Sequence, residues 1–232
     1  MRRFGWLFLL LVVCPCHAAA QGTQDEDRAR AFFRELWTDQ KQIWTTPFKG
    51  DTWHRKTPFV LVIASGASFA LDDEPSRKLR DCQGFSRFND IFASTASGAV
   101  LTAFPAAVWA TGALAHRPGM TDYGVKATRA AIAGIGVTVA LKAVTQRPRP
   151  HSGKVYGFGE GGNSFPSGHS AVAWAIAGAT CRHFQEHRWV AFIAYPVAGI
   201  IAFSRVTSGN HFASDAVTGS ALGWAIGYFG IR

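Results

Sequence analysis

Three short segments, far apart in the sequence, combine basic side chains with histidine, serine and aspartate. Their polar residues are Lys142, Arg149, Ser167, His169, Arg205, His211 and Asp215. One lysine and two arginines provide three permanent positive charges, and a guanidinium group can bind two oxygens of an anion at once. These residue types are suited to holding a tetrahedral oxyanion such as phosphate.

The backbone around two of these segments favours the same kind of ligand. Pro148 and Pro150 flank Arg149, fix the local backbone angles and end the preceding helix. The Pro-Ser-Gly sequence at 166–168 is typical of a turn into a helix, whose first amides and positive dipole end attract an anion. Ser167 can either cap that helix or bind the anion directly, and the sequence leaves both roles open.

The third segment and His169 supply groups for covalent catalysis. His211 and Asp215 are four residues apart and therefore lie on one face of a helical turn. A carboxylate bonded to one ring nitrogen fixes the histidine tautomer and leaves the other nitrogen free to attack phosphorus. His169, at the start of another helix, is placed to protonate a departing alkoxide. We therefore predict phosphoryl transfer through a phosphohistidine, with the three cations stabilising the charge of the transition state.

Six mostly uncharged stretches must position these residues. They are Pro58–Leu71, Ile91–Ala115, Ala127–Lys142, Ser167–Cys181, Trp189–Phe203 and Ala213–Ile231. Most have apolar residues at helical spacing and none alternates as a strand does, which predicts an all-α, six-helix bundle. Alternating helix directions place the end of the third helix, the start of the fourth, the end of the fifth and the start of the sixth at one pole. The three segments are therefore expected to meet in one pocket.

The three segments resemble the signature of the type 2 phosphatidic acid phosphatase (PAP2) and vanadium haloperoxidase superfamily. The matching motifs, in order and spacing, are Lys142-x6-Arg149-Pro150, Pro166-Ser167-Gly168-His169 and Ser204-Arg205-x5-His211-x3-Asp215. The resemblance implies a metal-independent phosphatase with His211 as nucleophile, Asp215 as its partner and His169 as general acid. It also implies a set of phosphate ligands, namely Lys142, Arg149, Ser167, Gly168 and Arg205. Family members act on lipid phosphates, prenyl pyrophosphates and small soluble phosphoesters, so the substrate stays open.

Two other functions are compatible with an anion pocket. In a vanadium-dependent haloperoxidase the same cations would hold vanadate, a phosphate mimic, but those proteins are usually much longer than this 232-residue chain. A non-catalytic bundle that binds a phosphorylated envelope component would not need both histidines and the aspartate. A zinc site would require more histidine or cysteine at close spacing, so we expect no metal or other cofactor. No basic patch interleaved with exposed aromatic residues is evident, so no nucleic-acid partner is expected.

The first part of the chain has two distinct patterns. Met1-Arg2-Arg3, a ten-residue apolar run and Ala18-Ala19-Ala20 are typical of a secretory signal peptide over residues 1–20. Residues 21–57 form an N-terminal segment in which Ala29–Trp44 is predicted to be an amphipathic helix. That helix either packs on the core, which we favour, or lies on a membrane surface.

Charge and helix length indicate where the remaining PAP2-like domain, residues 58–232, works. The formal net charge of +9 suits anionic partners such as phosphates or lipid headgroups. Among the six stretches only Ile91–Ala115 is comfortably long enough to cross a bilayer. We therefore expect an exported bundle, soluble or peripheral, in the periplasm or at the outer face of the inner membrane, with an integral membrane protein as the alternative. Cys82 and Cys181 are expected near opposite ends of the bundle, which argues against a disulfide between them.

Overall fold

The computed structural model describes residues 22–45, 52–153 and 157–231. All regular secondary structure in these ranges is helical, so the predicted all-α class is confirmed. The predicted signal peptide, residues 1–20, lies outside the described residues, as does part of the segment 21–57.

The described chain contains more helices than the six predicted stretches. In chain order they are α1 (Gly22–Thr45), α2 (Thr52–Ser68), α3 (Glu74–Asp81), α4 (Ser86–Phe92), α5 (Thr95–Leu114), α6 (Pro118–Thr145), α7 (Gly168–His183), α8 (Ala191–Thr207), α9 (Ala213–Ala225) and a π-helical turn (Ile226–Gly230). The six stretches correspond to α2 and to α5 through α9. The expected number is too low because α3 and α4 form in the charged link between the first two stretches. At 8 and 7 residues, both are too short to show the repeated apolar spacing that predicts a helix.

The described chain divides into two units, with the boundary between Trp37 and Thr38 inside α1. In the first unit the described side chains of α1 are mostly exposed. In the second unit Asp39, near the end of α1, forms a buried ion pair with Arg129 of α6, with 2.5 Å between Oδ2 and Nη2. Ile43 packs against the apolar core. The last turns of α1 are therefore packed, which is one of the two arrangements that the sequence left open.

α7 is the most buried helix, and it packs against α6, α8 and α9. Small residues at these contacts allow the helices to approach each other closely. Gly219 and Gly223 of α9 face the backbone carbonyls of Ser167 and Ala171, where a Cβ atom would clash. The close approach brings the N-terminal ends of the two helices together, and the amide of Ser167 donates to the carbonyl of Asp215 at 2.9 Å.

Within the described residues three helical stretches, rather than one, are long and apolar enough to cross a membrane. They are Gln83–Leu114, Pro118–Ser152 and Arg188–Thr207. The prediction that a single stretch has sufficient length is therefore wrong. α6 begins at Pro118 instead of Ala127. Asp122 and Lys126, whose charges suggest a link, lie within it and form an i,i+4 ion pair of 2.8 Å on the helix surface.

Large apolar side chains cover the outer faces of these stretches. Leu114 is 83% exposed, Val144 and Phe192 are each 80% exposed, and Val100 is 68% exposed. An exposed apolar surface on this scale is unfavourable in water and is typical of contact with lipid. The structure therefore indicates membrane association, which is among the expected alternatives and disfavours a soluble bundle.

Candidate active site

The predicted site residues lie at the ends of four helices. Lys142 is in the last turn of α6, His169 in the first turn of α7, Arg205 in the last turn of α8 and Asp215 in the first turn of α9. Burial, together with the charges of four neighbouring groups, lowers the pKa of His169 to about 4. In order of effect these groups are Arg205, His211, Arg149 and Lys142. Charged groups from all three sequence segments therefore act on one imidazole, as the alternating helix directions predict.

His211 and Asp215 form the expected pair in a buried position. Nδ1 of His211 lies 3.5 Å from Oδ2 of Asp215, and the two side chains are 3% and 0% exposed. Oδ2 also accepts hydrogen bonds from the backbone amide of Phe212 at 2.9 Å and from the hydroxyl of Ser164 at 2.5 Å. These donors hold the carboxylate beside Nδ1, so Nε2 is the ring nitrogen available for chemistry.

The charge states of this pair follow from its surroundings. Burial lowers the pKa of His211 to about 4, although the hydrogen bond and the charge of Asp215 act in the opposite direction. Burial alone would raise the pKa of Asp215, but His211, the charge of Arg147 and the hydrogen bond from Ser164 lower it overall. At neutral pH the ring is therefore uncharged and the carboxylate is ionised, which is the state that a histidine nucleophile requires.

His169 lies against α5 as well as at the start of α7. Its Nε2 atom is buried and has no hydrogen-bond partner among the described residues. A Cβ atom at Gly98 of α5 would lie only 2.5 Å from this Nε2, so the imidazole has room because residue 98 is glycine. A ring nitrogen in this position, beside the cations, is suited to exchanging a proton with a ligand in the pocket.

Lys142, Arg149 and Arg205 each donate hydrogen bonds to uncharged oxygens of the protein. The ammonium group of Lys142 donates to two backbone carbonyls in the loop before α7. Nε of Arg149 donates to Oδ1 of Asn163 at 2.9 Å, and Nη1 of Arg205 donates to the carbonyl of Ala93 at 2.7 Å. Arg205 is 5% exposed, and its buried Nε has no partner among the described residues. These contacts orient the positive charges without cancelling them, which suits an anion site.

Ser167 and Gly168 form the start of α7. The hydroxyl of Ser167 accepts hydrogen bonds from the amide of Ser170 at 3.5 Å and from the hydroxyl of Ser170 at 3.0 Å. Of the two roles that the sequence leaves open for Ser167, the capping role is therefore present in the structure. The first amides of a helix have no acceptor within it, so they remain available to an anion at this end of α7.

Sequence reasoning missed several polar residues that support the site. They are Asp72, Arg147, Asn163 and Ser164. Arg147 is fully buried and pairs with both Asp72 and Asp215, at 2.7 and 2.8 Å. The Arg-Pro-Arg-Pro sequence at 147–150 is a signal that could have drawn attention to Arg147. Nothing comparable marks the other three residues.

The described residues contain no group of three or more histidine, cysteine, aspartate or glutamate side chains that could hold a metal ion. Both cysteines of the described chain are free thiols, with Cys82 exposed and Cys181 buried.

Comparison with known proteins places this site in a family. The PAP2 superfamily model matches residues 123–232, which include all eight predicted site residues. This match confirms the resemblance of the three motifs to the PAP2 superfamily. No solved structure matches the chain.

Two curated relatives are named as phosphatases of lipid A, both from Porphyromonas gingivalis. Lipid A 1-phosphatase is 37% identical over 75 residues, which is 31% of this chain and 16% of that protein. Lipid A 4'-phosphatase is 32% identical over 75 residues, which is 32% of this chain and 31% of that protein. The chain thus covers less than a third of the length of either relative.

Proposed function

We propose that the protein is a membrane-embedded phosphatase that hydrolyses a phosphate monoester or pyrophosphate of a lipid through a phosphohistidine on His211. The main support is the buried, uncharged imidazole of His211, held by ionised Asp215 beside a group of cations. The PAP2 domain and the two relatives named as lipid A phosphatases support the same class of reaction.

The first half-reaction transfers the phosphoryl group to the protein. Lys142, Arg149 and Arg205 bind the nonbridging oxygens of the substrate phosphate, together with the amides at the start of α7. Nε2 of His211 attacks phosphorus, and the bond from phosphorus to the leaving oxygen breaks. His169, whose pKa rises when the anion binds beside it, donates a proton to that oxygen. The products are the dephosphorylated leaving group and a phosphohistidine.

The second half-reaction returns the protein to its starting state. Neutral His169 takes a proton from a water molecule as the oxygen of that water attacks phosphorus. The bond from phosphorus to Nε2 of His211 breaks, and inorganic phosphate leaves. Asp215 holds the proton on Nδ1 throughout and stabilises the positive charge that the ring acquires in the intermediate.

An apolar groove supports a lipid substrate over a small soluble one. A cavity of about 970 Å³ lies between α5 and α8 and along α7, and most of its lining side chains are apolar. One part of the lining includes Ser97, next to Gly98, which faces the ring of His169. Tyr123 and His187 line the end of the groove that lies towards the opposite pole of the helix bundle. We propose that this groove takes the hydrocarbon chain of the substrate, with Ser97 at the end nearest His169.

Helix length and surface polarity support an integral position in the membrane. Three stretches have the length and composition of membrane spans, and their outer faces expose large apolar side chains. We propose the outer face of the inner membrane as the location, because residues 1–20 have the pattern of an export signal.

Phosphate release tests the proposal, with the full chain in detergent and three substrates: phosphatidate, a prenyl pyrophosphate and 4-nitrophenyl phosphate. His211→Ala should abolish release, and a chelator should leave the wild-type rate unchanged. His116→Asn is the matched control, because His116 is exposed and has a φ of 50°, which asparagine tolerates. Full activity of His211→Ala would exclude the phosphohistidine, and release from 4-nitrophenyl phosphate alone would exclude lipid specificity.

The same preparation separates the two alternative functions. Phosphate binding without any release would identify a non-catalytic binder. Oxidation of bromide by peroxide in the presence of vanadate would identify a haloperoxidase.

A further inference from the structure

We infer that Arg147, balanced by Asp72, is a positioning residue that fixes the catalytic carboxylate of Asp215 and, through it, the ring of His211. The inference rests on the proposed function. It adds to that function a second buried carboxylate, which lies outside the residues 123–232 that match the family.

The geometry assigns each oxygen of Asp215 its own partners. Nη1 of Arg147 donates to Oδ1 of Asp215 at 2.8 Å. The other oxygen, Oδ2, is the one beside Nδ1 of His211, and it accepts from Ser164 and Phe212. With both oxygens held, the carboxylate cannot rotate away from the imidazole. Arg147 therefore controls the orientation of Asp215 from the side opposite His211.

A second carboxylate holds Arg147 in turn. Nη2 of Arg147 donates to Oδ2 of Asp72 at 2.7 Å, and Nη1 also donates to the hydroxyl of Ser214 at 2.7 Å. The side chains of Arg147, Asp72 and Asp215 are all 0% exposed. A buried guanidinium between two buried carboxylates loses its hydration completely, so each contact is strong and its loss is costly.

Aromatic rings enclose the guanidinium group and keep water away from it. The Cζ atom of Arg147 lies 4.3 Å from the ring centroid of Phe212, 5.1 Å from that of Phe69 and 5.4 Å from that of Phe158. Stacking of this kind favours arginine over lysine, because the planar group matches the ring faces. Arg147 is therefore restricted to one orientation.

Asp72 also fixes the helix that carries Asp215. Its Oδ1 accepts from the backbone amide of Ser214 at 2.8 Å, and its Oδ2 accepts from the hydroxyl of Ser214 at 2.6 Å. Nearby, the hydroxyl of Ser76 accepts from the amide of Ala213 at 3.2 Å. The link between α2 and α3 thus caps the first turn of α9, where a negative charge is favourable.

The charge balance of the group explains why two carboxylates are present. The charged and titratable groups around Asp215 are His211, Arg147, Lys142 and, through Ser214, Asp72. Asp72, Arg147 and Asp215 together have a net charge of −1, which offsets the positive ring of a phosphorylated His211. Without Arg147, two buried carboxylates would face each other, and one of them would take up a proton.

Four variants in the full chain test the inference: Arg147→Lys, Arg147→Met, Asp72→Asn and the double variant Asp72→Asn/Arg147→Met. We expect Arg147→Met to lower kcat for phosphatidate on the order of 10- to 100-fold, the range for residues that orient a reacting ligand. KM should change little because Arg147 does not touch the substrate. The acid limb of the kcat profile should move to higher pH, since loss of the cation raises the pKa of Asp215.

The double variant distinguishes positioning from simple destabilisation. Removing Asp72 as well restores the net charge of −1, so the double variant should exceed Arg147→Met in kcat by roughly threefold or more. Arg129→Met is the matched control, because Arg129 and Asp39 form another buried ion pair, 5% and 4% exposed. It should lower the melting temperature without moving the pH profile.

Several outcomes would overturn the inference. They are an unchanged kcat and pH profile in Arg147→Met, an equal shift in Arg129→Met, or a double variant no more active than Arg147→Met. If Arg147→Met does not fold, Arg147→Lys replaces it, and an unchanged kcat there is the contradicting result. If the wild type releases no phosphate, the proposed function fails. The positioning role of Arg147 is then tested by the nitrogen NMR signals of His211. The wild type should show one tautomer, protonated on Nδ1, and Arg147→Lys should lose it; an unchanged tautomer overturns the inference.

Discussion

Gly98→Ala tests whether His169 acts as the general acid, because it displaces that ring without touching a phosphate ligand. The added Cβ atom would lie 2.5 Å from Nε2 of His169 and 3.1 Å from its Cε1. An ordinary van der Waals contact needs about 3.4 to 4 Å, so the imidazole must move by about 1 Å. A misplacement of this size at a reacting group costs about 100-fold in rate.

The two classes of substrate should respond differently to this displacement. The alcohol of a lipid phosphate is a poor leaving group and needs the proton from His169. 4-Nitrophenolate leaves readily without protonation. We therefore expect kcat for phosphatidate to fall about 100-fold, whereas the initial burst of 4-nitrophenolate should keep its rate and amplitude.

The assay is rapid-mixing kinetics with both substrates, and Gly199→Ala is the control. Gly199 lies within α8, where an added Cβ atom has no neighbour within 4 Å. That variant should retain both activities. Equal behaviour of the two variants, or an equal loss of the phosphatidate rate and the nitrophenolate burst in Gly98→Ala, would refute the role of His169.

Two further predictions concern pH and the membrane. Burial and the neighbouring cations hold the pKa of His169 at about 4 in the free protein, and a bound anion raises this pKa. Binding of sulfate should therefore be accompanied by proton uptake. Its affinity should increase as the pH falls from about 6.5 towards 4. Calorimetry in two buffers measures this uptake, which should decrease in His169→Asn because only His211 then remains to take up a proton; a pH-independent affinity would contradict the assignment. The three long apolar stretches predict that the protein stays in the membrane pellet after a carbonate wash, and its release would show that it is peripheral.

The convergence of the motif residues could be predicted from the sequence because it depends on helix order alone. Alternating helix directions bring the end of α6 to the start of α7, and in the structure Lys142 donates to the loop just before α7. Helix boundaries were harder to predict. Asp122 and Lys126 interrupt the apolar pattern, yet α6 continues through them, and the two side chains form an ion pair on its surface.

The partners of Arg147 could not be predicted from local pattern. Asp72 is 75 residues away in the chain, and the sequence around it is a short polar link with no helical periodicity. A buried arginine between two aspartates depends on tertiary packing, which brings the link between α2 and α3 onto the start of α9. Spacing within a motif indicates which residues share a helix turn, but it does not indicate which distant charge neutralises them.

The residues before the family match complete the site instead of merely preceding it. Gly98 leaves room for the ring of His169, the carbonyl of Ala93 orients Arg205, and Asp72 caps the helix that carries Asp215. Each of these contacts holds a predicted site residue and comes from a part of the chain outside the three motifs. The family motifs define the groups proposed to bind and cleave the phosphate ester, whereas residues 72–98 set the orientation and charge of these groups. Variation in residues 72–98 between related proteins should therefore alter rate and pH dependence more than phosphate affinity.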